Sequence, residues 1–229
     1  MPDELEDIAA GEAARACGPA EGRQEDELRF IEVLDDVVKV LEEPGFPYVF
    51  MGGIASAAVG RPRLTHDIDV FVRPDDARAV LAAFAAAGFE TEERFPHWLF
   101  KAVKNGRLVD IIFRSSGDIY LDDEMLGRAP TLEFKGRKLP LIPPEDLMVM
   151  KAIVHDEHMP RHWHDAVAIV ATADIDWDYV LRRARRGTHR VLSLLLYAQS
   201  NDIVVPAWVV RRLFAAIDER EGESVAQSA

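Results

Sequence analysis

Two adjacent glycines, Gly52 and Gly53, interrupt the first apolar run of the chain. Residues 48–51 before them predict a short β-strand, and the small residues at 54–59 after them predict a helix. Because glycine has no Cβ, the backbone of such a turn can approach an anion closely, and the free N–H groups of the first helical turn point at it. The arrangement of strand, glycine pair and helix therefore predicts a phosphate-binding turn.

Hydrophobic periodicity separates the chain into two parts that meet near Pro143. Before Pro143, short apolar runs predict strands, and the Asn105-Gly106 turn between two of them predicts a hairpin. These strands are expected at residues 67–72, 98–103, 107–113 and, as a further hairpin, within 131–141. The helices expected beside them lie at 26–43 and 77–87. After Pro143 the apolar positions recur at helical spacing, and helices are expected at 144–158, 162–172, 176–186, 188–199 and 206–219.

Negative charge is concentrated at the start of the chain. Residues 1–43 hold 14 Asp and Glu against 4 Lys and Arg, which leaves only −3 of the net charge of −13 for the rest. Residues 1–24 have almost no large apolar side chains, so we expect a flexible acidic leader. Behind it we expect an α+β fold, with an α/β core and mixed sheet at residues 25–142 and a helical domain at 143–229.

Composition also narrows the setting and the partners. The single cysteine, Cys17, cannot form an internal disulfide, and no apolar run approaches the length of a membrane span. We therefore expect a cytoplasmic protein without a membrane partner. The body of the chain is nearly neutral, which is compatible with an RNA partner. The basic run from Arg182 to Arg190 has two interpretations, an RNA-backbone contact or a solvated helix face.

Three aspartates carry the chemistry that the predicted strands suggest. Asp67 and Asp69 stand two residues apart on one strand, so their carboxylates project from the same face. Asp110 is a charge inside another apolar strand, where an unpaired carboxylate is costly. If the two strands are neighbours, the three carboxylates form a two-metal site for Mg²⁺ or Mn²⁺, in which Asp110 binds the second ion or accepts a proton. With the glycine turn, this predicts in-line displacement at the α-phosphate of an NTP.

The spacing of these residues resembles a known family. Gly52-Gly53-x-Ala55, then Arg63-x-Thr65-x-Asp67-Ile68-Asp69 and a later strand-borne Asp110, is similar to the DNA polymerase β-like nucleotidyltransferase superfamily. The downstream pattern Lys151 … Pro160-Arg161-His162-x-His164-Asp165 resembles its minimal and abortive-infection-type branch, which includes toxins of toxin–antitoxin pairs. The resemblance covers roughly residues 45–172 and extends to the lincosamide nucleotidyltransferases.

The resemblance implies a metal-dependent enzyme that transfers an NMP from an NTP to a hydroxyl of an RNA or tRNA end or of a protein. For the toxin members it also implies an antitoxin protein as a partner. It implies that Lys151 contacts the phosphates or base of the nucleotide, that Asp165 orients Lys151 or the acceptor, and that Arg63 and Arg161 bind the nucleotide.

The glycine pair is also the point at which the chain departs from many members of the superfamily. Those members have Gly-Ser where this chain has Gly52-Gly53, so a serine hydroxyl contact to phosphate is absent unless Ser56 or Thr65 replaces it.

Two other functions compete with this interpretation. The acceptor of the same reaction could be a small hydroxylated molecule such as an antibiotic. A non-catalytic module that only holds a nucleotide or a partner protein is the other alternative, although such a module has no need to keep three repelling carboxylates.

Two groups of ring side chains also call for an interpretation. Four histidines in the stretch from His155 to His164 leave a structural zinc site open, but Pro160 interrupts the helix between them and no cysteine is near. The four tryptophans are expected in the core or at the domain interface, and they are Trp98, Trp163, Trp177 and Trp208.

Overall fold

The computed structural model describes residues 20–227, and residues 1–19 of the predicted acidic leader lie outside this range. The helices are α1 (Ala20–Glu42), α2 (Gly52–Val59), α3 (Ala77–Ala86), α4 (Asp123–Arg128), α5 (Pro144–Val154), α6 (Arg161–Thr172), α7 (Trp177–Arg183), α8 (Thr188–Ser200) and α9 (Ala207–Gln227). The strands are β1 (Tyr48–Phe50), β2 (Ile68–Val72), β3 (Glu90–Phe95), β4 (Leu99–Lys104), β5 (Arg107–Ile112), β6 (Thr131–Phe134) and β7 (Arg137–Pro140). None of these helices is both long and apolar enough to cross a membrane, as far as residues 20–227 are concerned.

A five-stranded sheet in the order β1-β2-β5-β4-β3 forms the centre of the first half of the chain. Strands β2 and β5 are parallel, whereas the other neighbours are antiparallel. This confirms the predicted α+β class with a mixed sheet followed by a helical region. The parallel pairing brings together two strands that are far apart in sequence, and it sets Asp69 directly opposite Asp110.

The two faces of the sheet are covered by different cores. Alternate strand residues, such as Val70 and Ile111, pack on one face against apolar residues of α1 and α3. Their neighbours Phe71 and Ile112 belong to the other face, whose core continues into helices α5 to α9. Because side chains of a strand alternate between faces, Asp69 and Asp110 share the face of Phe71 and Ile112. The acidic residues therefore face the helical domain.

Two elements were not predicted from the sequence. Strand β3 is exposed along its whole length and rich in glutamate, so it lacks the alternation that marks a half-buried strand. Helix α4 is only six residues long, and its N-terminus is capped by Asp122, whose Oδ1 accepts a hydrogen bond of 2.8 Å from the Met125 N–H.

Helix α5 ends earlier than the periodicity predicts, at Val154 instead of near His158. Directly after it, the N–H groups of His158 and Met159 donate to Asp156 Oδ1 at 2.8 and 2.9 Å. An aspartate that satisfies backbone donors in this way stabilises a turn in place of the next helical turn. The turn separates α5 from α6 and allows both helices to contribute to one site.

Candidate active site

A cleft of about 700 Å³ lies between the sheet and the helical domain. One wall comes from β2, β5 and the start of α2, and the other comes from α5 and the start of α6. Most of the site residues predicted from the sequence line this cleft, and they are Gly52, Gly53, Arg63, Thr65, Asp67, Asp69, Asp110, Lys151 and Arg161. Asp165 contacts the cleft through Lys151, and Ser56 lies away from it.

The carboxylates of Asp67, Asp69 and Asp110 lie near the floor of the cleft. Asp69 and Asp110 are register partners on the parallel strands β2 and β5, and Asp67 directly precedes β2. Burial, reinforced by the charges of Asp110 and Asp67, raises the pKa of Asp69 to about 6. Burial also raises the pKa of Asp110, although Lys101 opposes this effect. The three carboxylates thus repel one another in a partly buried place.

The donor set of this floor fits a hard divalent cation. Mg²⁺ takes oxygen ligands and commonly uses only one or two protein carboxylates, with water and substrate phosphates completing its shell. Within residues 20–227, no group of three or more His, Cys, Asp or Glu side chains is arranged so that it could hold a metal ion. The histidines at 155–164 therefore do not form a zinc site within the described part of the chain. On donor chemistry alone, the carboxylates of Asp67, Asp69 and Asp110 are the candidate metal ligands.

Lys101 is a site residue that the sequence analysis missed. Its Nζ lies 2.8 Å from Asp110 Oδ1, and both side chains are mostly buried. A two-residue turn at Asn105-Gly106 pairs Lys104 with Arg107 and, three steps further along the hairpin, Lys101 with Asp110. The hairpin predicted from the sequence thus already contained this pairing. Asp69, Asp110 and Lys101 form one row across three strands.

The glycine pair makes room for two side chains of the site. Gly52 has a φ of +54°, and a Cβ at this position would lie 1.9 Å from Asp69 Oδ2. A Cβ on Gly53 would lie 2.1 Å from Thr65 Oγ1. The N–H of Gly53 donates to Asp69 Oδ2 at 3.3 Å, so the first turn of α2 contacts a carboxylate of the row directly. Larger residues at 52 and 53 would collide with Asp69 and Thr65.

Ser56 and Thr65 were the two predicted substitutes for the missing serine of the glycine turn. Ser56 is buried, and its Oγ donates to the carbonyl of Gly52 at 2.6 Å, one helical turn back. Thr65 lines the cleft, and its Oγ1 donates to the carbonyl of Asp67 at 3.2 Å. Of these two residues, Thr65 is therefore the one whose hydroxyl lies at the cleft surface.

Lys151 and Asp165 form a buried ion pair, with Nζ and Oδ2 2.9 Å apart. Arg63 Nη2 lies 3.2 Å from the same Oδ2, and Arg61 reaches Oδ1 at 4.0 Å. Burial lowers the pKa of Lys151. Burial alone would raise the pKa of Asp165, but the cations of Lys151 and Arg63 outweigh it and the pKa is lowered. One carboxylate therefore organises several cations, of which Lys151 and Arg63 line the cleft.

His162 and Arg161 lie at the start of α6 and line the same wall as Lys151. Burial lowers the pKa of His162 to about 4, and the charges of Lys151 and Arg161 act in the same direction. The imidazole is therefore neutral at physiological pH, and it lines the cleft without adding a charge.

Two of the tryptophans expected in the core or at the domain interface do not lie in the core. Trp98 is 42% exposed at the rim of the cleft, and Trp208 is 39% exposed on α9. Trp163 and Trp177 do pack against the core of the helical domain.

The first two arginines of the basic run, Arg182 and Arg183, lie at the end of α7 and are engaged within the protein. Arg183 bonds to Asp146 and Asp122, and Arg182 lies 2.8 Å from Glu124. These partners favour a structural role over an RNA contact for Arg182 and Arg183.

A family comparison covers nearly the whole of this architecture. The sequence profile of a family described as uncharacterised nucleotidyltransferases matches residues 18–216, which includes the sheet, the cleft and most of the helical domain. The chain belongs to this nucleotidyltransferase family. The prediction of a nucleotidyltransferase is thereby confirmed at the level of the family, and no curated protein is a significant match.

The chain is also similar to three solved structures. The solution structure of the antibiotic-resistance factor ANT(2″)-Ia is 17% identical, and the match covers 88% of this chain and 97% of that one with a TM-score of 0.45. A crystal structure of ANT(2″)-Ia with adenylyl-2″-tobramycin is 20% identical over 84% and 99% of the two chains, with a TM-score of 0.43. The lincosamide antibiotic adenylyltransferase LnuA, bound to lincomycin, is 16% identical over 59% and 95%, with a TM-score of 0.41.

Proposed function

We propose that this nucleotidyltransferase transfers an NMP from an NTP to an acceptor hydroxyl in a reaction that depends on Mg²⁺ or Mn²⁺. The observation that carries the proposal is the pairing of Asp69 with Asp110 on parallel strands, beside a helix N-terminus and opposite Lys151 in the same cleft. Paired carboxylates facing a cation across a cleft suit a substrate that brings both phosphates and a metal ion. This combination favours a catalytic site over a simple nucleotide-binding pocket.

Asp67, Asp69 and Asp110 would hold the metal. When bound, the ion would neutralise the phosphate oxygens and stabilise the charge that develops on the leaving group. In its absence, burial and mutual repulsion raise the pKa of Asp69. A divalent cation held by these carboxylates would relieve their repulsion.

The cations of the opposite wall hold the triphosphate. Lys151 and Arg63 are fixed by Asp165, and Arg161 lies at the start of α6 on the same wall. The anchoring to Asp165 restricts both side chains before a nucleotide binds, which reduces the entropy lost on binding. Gly52 and Gly53 allow the backbone beside Asp69 to approach the phosphates closely.

The reaction forms a bond between the acceptor oxygen and the α-phosphorus and breaks the bond from that phosphorus to the bridging oxygen. Pyrophosphate leaves on the side opposite to the attacking oxygen, because the two are in line. The hydroxyl proton is accepted by Asp110, which Lys101 holds on the floor of the cleft. Lys151 and Arg63 balance the charge on the leaving pyrophosphate.

Label transfer from α-labelled NTPs tests this function. The wild-type protein, Asp69→Asn and the matched control Asp75→Asn are incubated with each NTP and Mg²⁺ in the presence of tRNA, total RNA, protein or hydroxylated antibiotics. Asp75 is exposed in the turn before α3, so its variant retains full activity. We expect the wild type and the control to label one acceptor class. Label transfer by Asp69→Asn should be roughly a hundredfold lower. Equal labelling by Asp69→Asn, or none by the wild type with any acceptor, contradicts the proposal.

The toxin version of the proposal has a separate test. Expression of the wild type in a bacterial host would arrest growth, and Asp69→Ala would relieve the arrest because the paired carboxylate is lost. Growth that continues with the wild type, at a level of protein equal to that of the variant, counts against a toxin role and leaves the transfer reaction to the labelling assay.

A further inference from the structure

Two aromatic side chains stack on each other at the rim of the cleft. The rings of Phe95 and Trp98 have centroids 5.4 Å apart and planes that differ by 19°. Both remain exposed, Phe95 by 43% and Trp98 by 42%. Large aromatic rings at the surface forgo much of the stabilisation that burial provides, so a stacked and exposed pair at a cleft suggests a binding surface.

The backbone holds this pair in place. The N–H of Trp98 donates to the carbonyl of Phe95 at 3.0 Å, and the carbonyl of Trp98 accepts a bond of 3.0 Å from the Phe113 N–H. Trp98 therefore belongs to the turn between β3 and β4 and is tied to the end of β5. Phe95 covers one face of the indole, and Trp98 itself lines the cleft. The indole is thus a rigid platform whose uncovered surface is available to a ligand.

The geometry of the transfer reaction assigns this platform to the acceptor. The start of α2 and Lys151 mark the triphosphate side of the site. Within the acidic row, this side is the end at Asp69, which the first turn of α2 contacts. Attacking and leaving groups are in line, so the acceptor approaches from the opposite side, beyond Asp110. There β5 continues to Ile112, whose register partner Leu99 directly follows Trp98. The platform lies on the acceptor side of the carboxylates.

Polar side chains accompany the platform in the cleft. Arg114, Ser115 and Ser116 follow β5 directly and line the cleft together with Trp98. Arg114 Nε bonds to Asp118 at 2.8 Å, which restrains the guanidinium. A flat ring surface beside hydroxyls and an arginine matches a molecule with a planar ring, polar ring edges and a negative charge. A nucleotide has all three properties.

We infer that Trp98, supported by Phe95, stacks on the nucleobase of a nucleotide acceptor and so presents a ribose hydroxyl to Asp110. The inference rests on the proposed transfer reaction and adds the chemical class of the acceptor. A free nucleotide and the end of a single-stranded RNA share this chemistry.

Tryptophan fluorescence separates this role from a structural one. The NTP site is first filled with Mg²⁺ and α,β-methylene ATP, which cannot release pyrophosphate. The wild type is then titrated with AMP, with a short single-stranded RNA that has a free terminal ribose, or with ribose phosphate, which has no base. Trp98→Ala, Trp98→Phe and the control Trp208→Ala are titrated in parallel, because Trp208 is as exposed as Trp98 but lies outside the cleft.

We expect AMP or the RNA to quench the wild type and Trp208→Ala, and ribose phosphate to leave both unchanged. Trp98→Ala loses the quenching and binds the acceptor roughly tenfold more weakly, whereas Trp98→Phe keeps a ring and stays within about threefold of the wild type. In the transfer assay, Trp98→Ala raises the KM of the acceptor and leaves the KM of the NTP unchanged. Quenching by AMP identifies a free nucleotide as sufficient, and quenching by the RNA alone identifies an RNA end.

The inference is overturned if Trp98→Ala binds these ligands as tightly as the wild type, or if it changes only the KM of the NTP. It is also overturned if ribose phosphate binds as well as AMP. Failure of the transfer reaction is a different result, since stacking on Trp98 would still be detected by fluorescence while no variant, including the wild type, transferred label.

Discussion

Lys101 Nζ lies 2.8 Å from Asp110 Oδ1, so one carboxylate of the acidic row has a cation of its own. Asp69, its neighbour on β2, has a backbone N–H as its hydrogen-bond donor instead. This difference gives the two register partners different roles, because an ion pair restrains Asp110 beside Lys101 while Asp69 remains directed at the start of α2.

We expect Lys101→Met to lower kcat about tenfold, because Asp110 loses the contact that orients it toward the acceptor hydroxyl. Lys101→Arg restores part of the activity, since a guanidinium can keep the ion pair. Lys104→Met is the control, as Lys104 lies on the same strand but pairs with Asp36. Steady-state kinetics measure the loss of activity, and urea unfolding shows whether stability is lost as well. An equal loss in the Lys104 variant would assign the effect to the strand and not to Asp110.

Gly52→Ala tests the close contact between the glycine turn and the acidic row. The added Cβ would lie 1.9 Å from Asp69 Oδ2, at a φ of +54°. We expect a loss of about 3 kcal/mol in the free energy of unfolding, together with loss of activity. Gly88→Ala is the control, because its φ of +81° imposes similar strain with no atom within 4 Å of the Cβ. That variant should lose about 1 kcal/mol and remain active. Equal losses of stability and activity in both variants would show that the contact with Asp69 is not the cause of the loss.

Tyr179→Phe tests a buried hydrogen bond in the helical domain. The hydroxyl of Tyr179 donates to Asp146 Oδ2 at 2.5 Å, and both residues are inaccessible to solvent. Burial raises the pKa of Asp146 to about 6, although Arg183 and Tyr179 oppose the shift. Loss of the hydroxyl should cost about 2 kcal/mol, measured by urea unfolding. Tyr197→Phe, at an exposed tyrosine, should change the stability by less than about 0.5 kcal/mol. If Tyr179→Phe left the free energy of unfolding unchanged, Arg183 alone would satisfy the carboxylate of Asp146.

The pKa of His162 predicts a specific pH dependence. Burial, Lys151, Arg161 and Arg63 lower this pKa from 6.5 to about 4, and Asp165 opposes them. The unfolded chain therefore binds this proton at a higher pH than the folded protein does. The contribution of His162 to stability is present above pH 6.5 and is lost as the pH falls toward 4.

The matched variant for this prediction is His162→Gln, which lacks the titrating group. Between pH 7 and about 4, the wild type should lose more stability than the variant, and the NMR signals of the His162 ring should stay those of the neutral form until about pH 4. Parallel stability curves for the two proteins, or a ring that titrates near 6.5, would contradict the burial of His162 against these cations.

Much of the fold was predictable because the relevant signals are local. The hairpin at Asn105-Gly106 and the one at Lys135-Gly136 are both present, since a turn sequence specifies its own short loop. Strand β3 was missed because an exposed edge strand of glutamates leaves no apolar pattern. Helix α5 was predicted too long because the Asp156 side chain stabilises a turn that periodicity does not detect.

The candidate site was predictable to the extent that its residues were close in sequence. The glycine pair and the Asp67–Asp69 spacing are properties of single segments, and the third carboxylate stood out as a charge in an apolar strand. By contrast, Trp98 was assigned to the core or the domain interface. Its residue type shows that the side chain is apolar, but it does not show how much of the ring is buried in the folded protein.

The sequence by itself determined the strand, glycine turn and helix, the acidic strand and the change to helices after Pro143, because propensity and periodicity act within a few residues. Only the tertiary structure decided which charges meet. Arg63 and Asp165 are 102 positions apart, and the parallel partners Asp69 and Asp110 are separated by two intervening strands. Such pairs form where packing of the whole sheet against the helical domain brings them together, and local patterns contain no record of that packing.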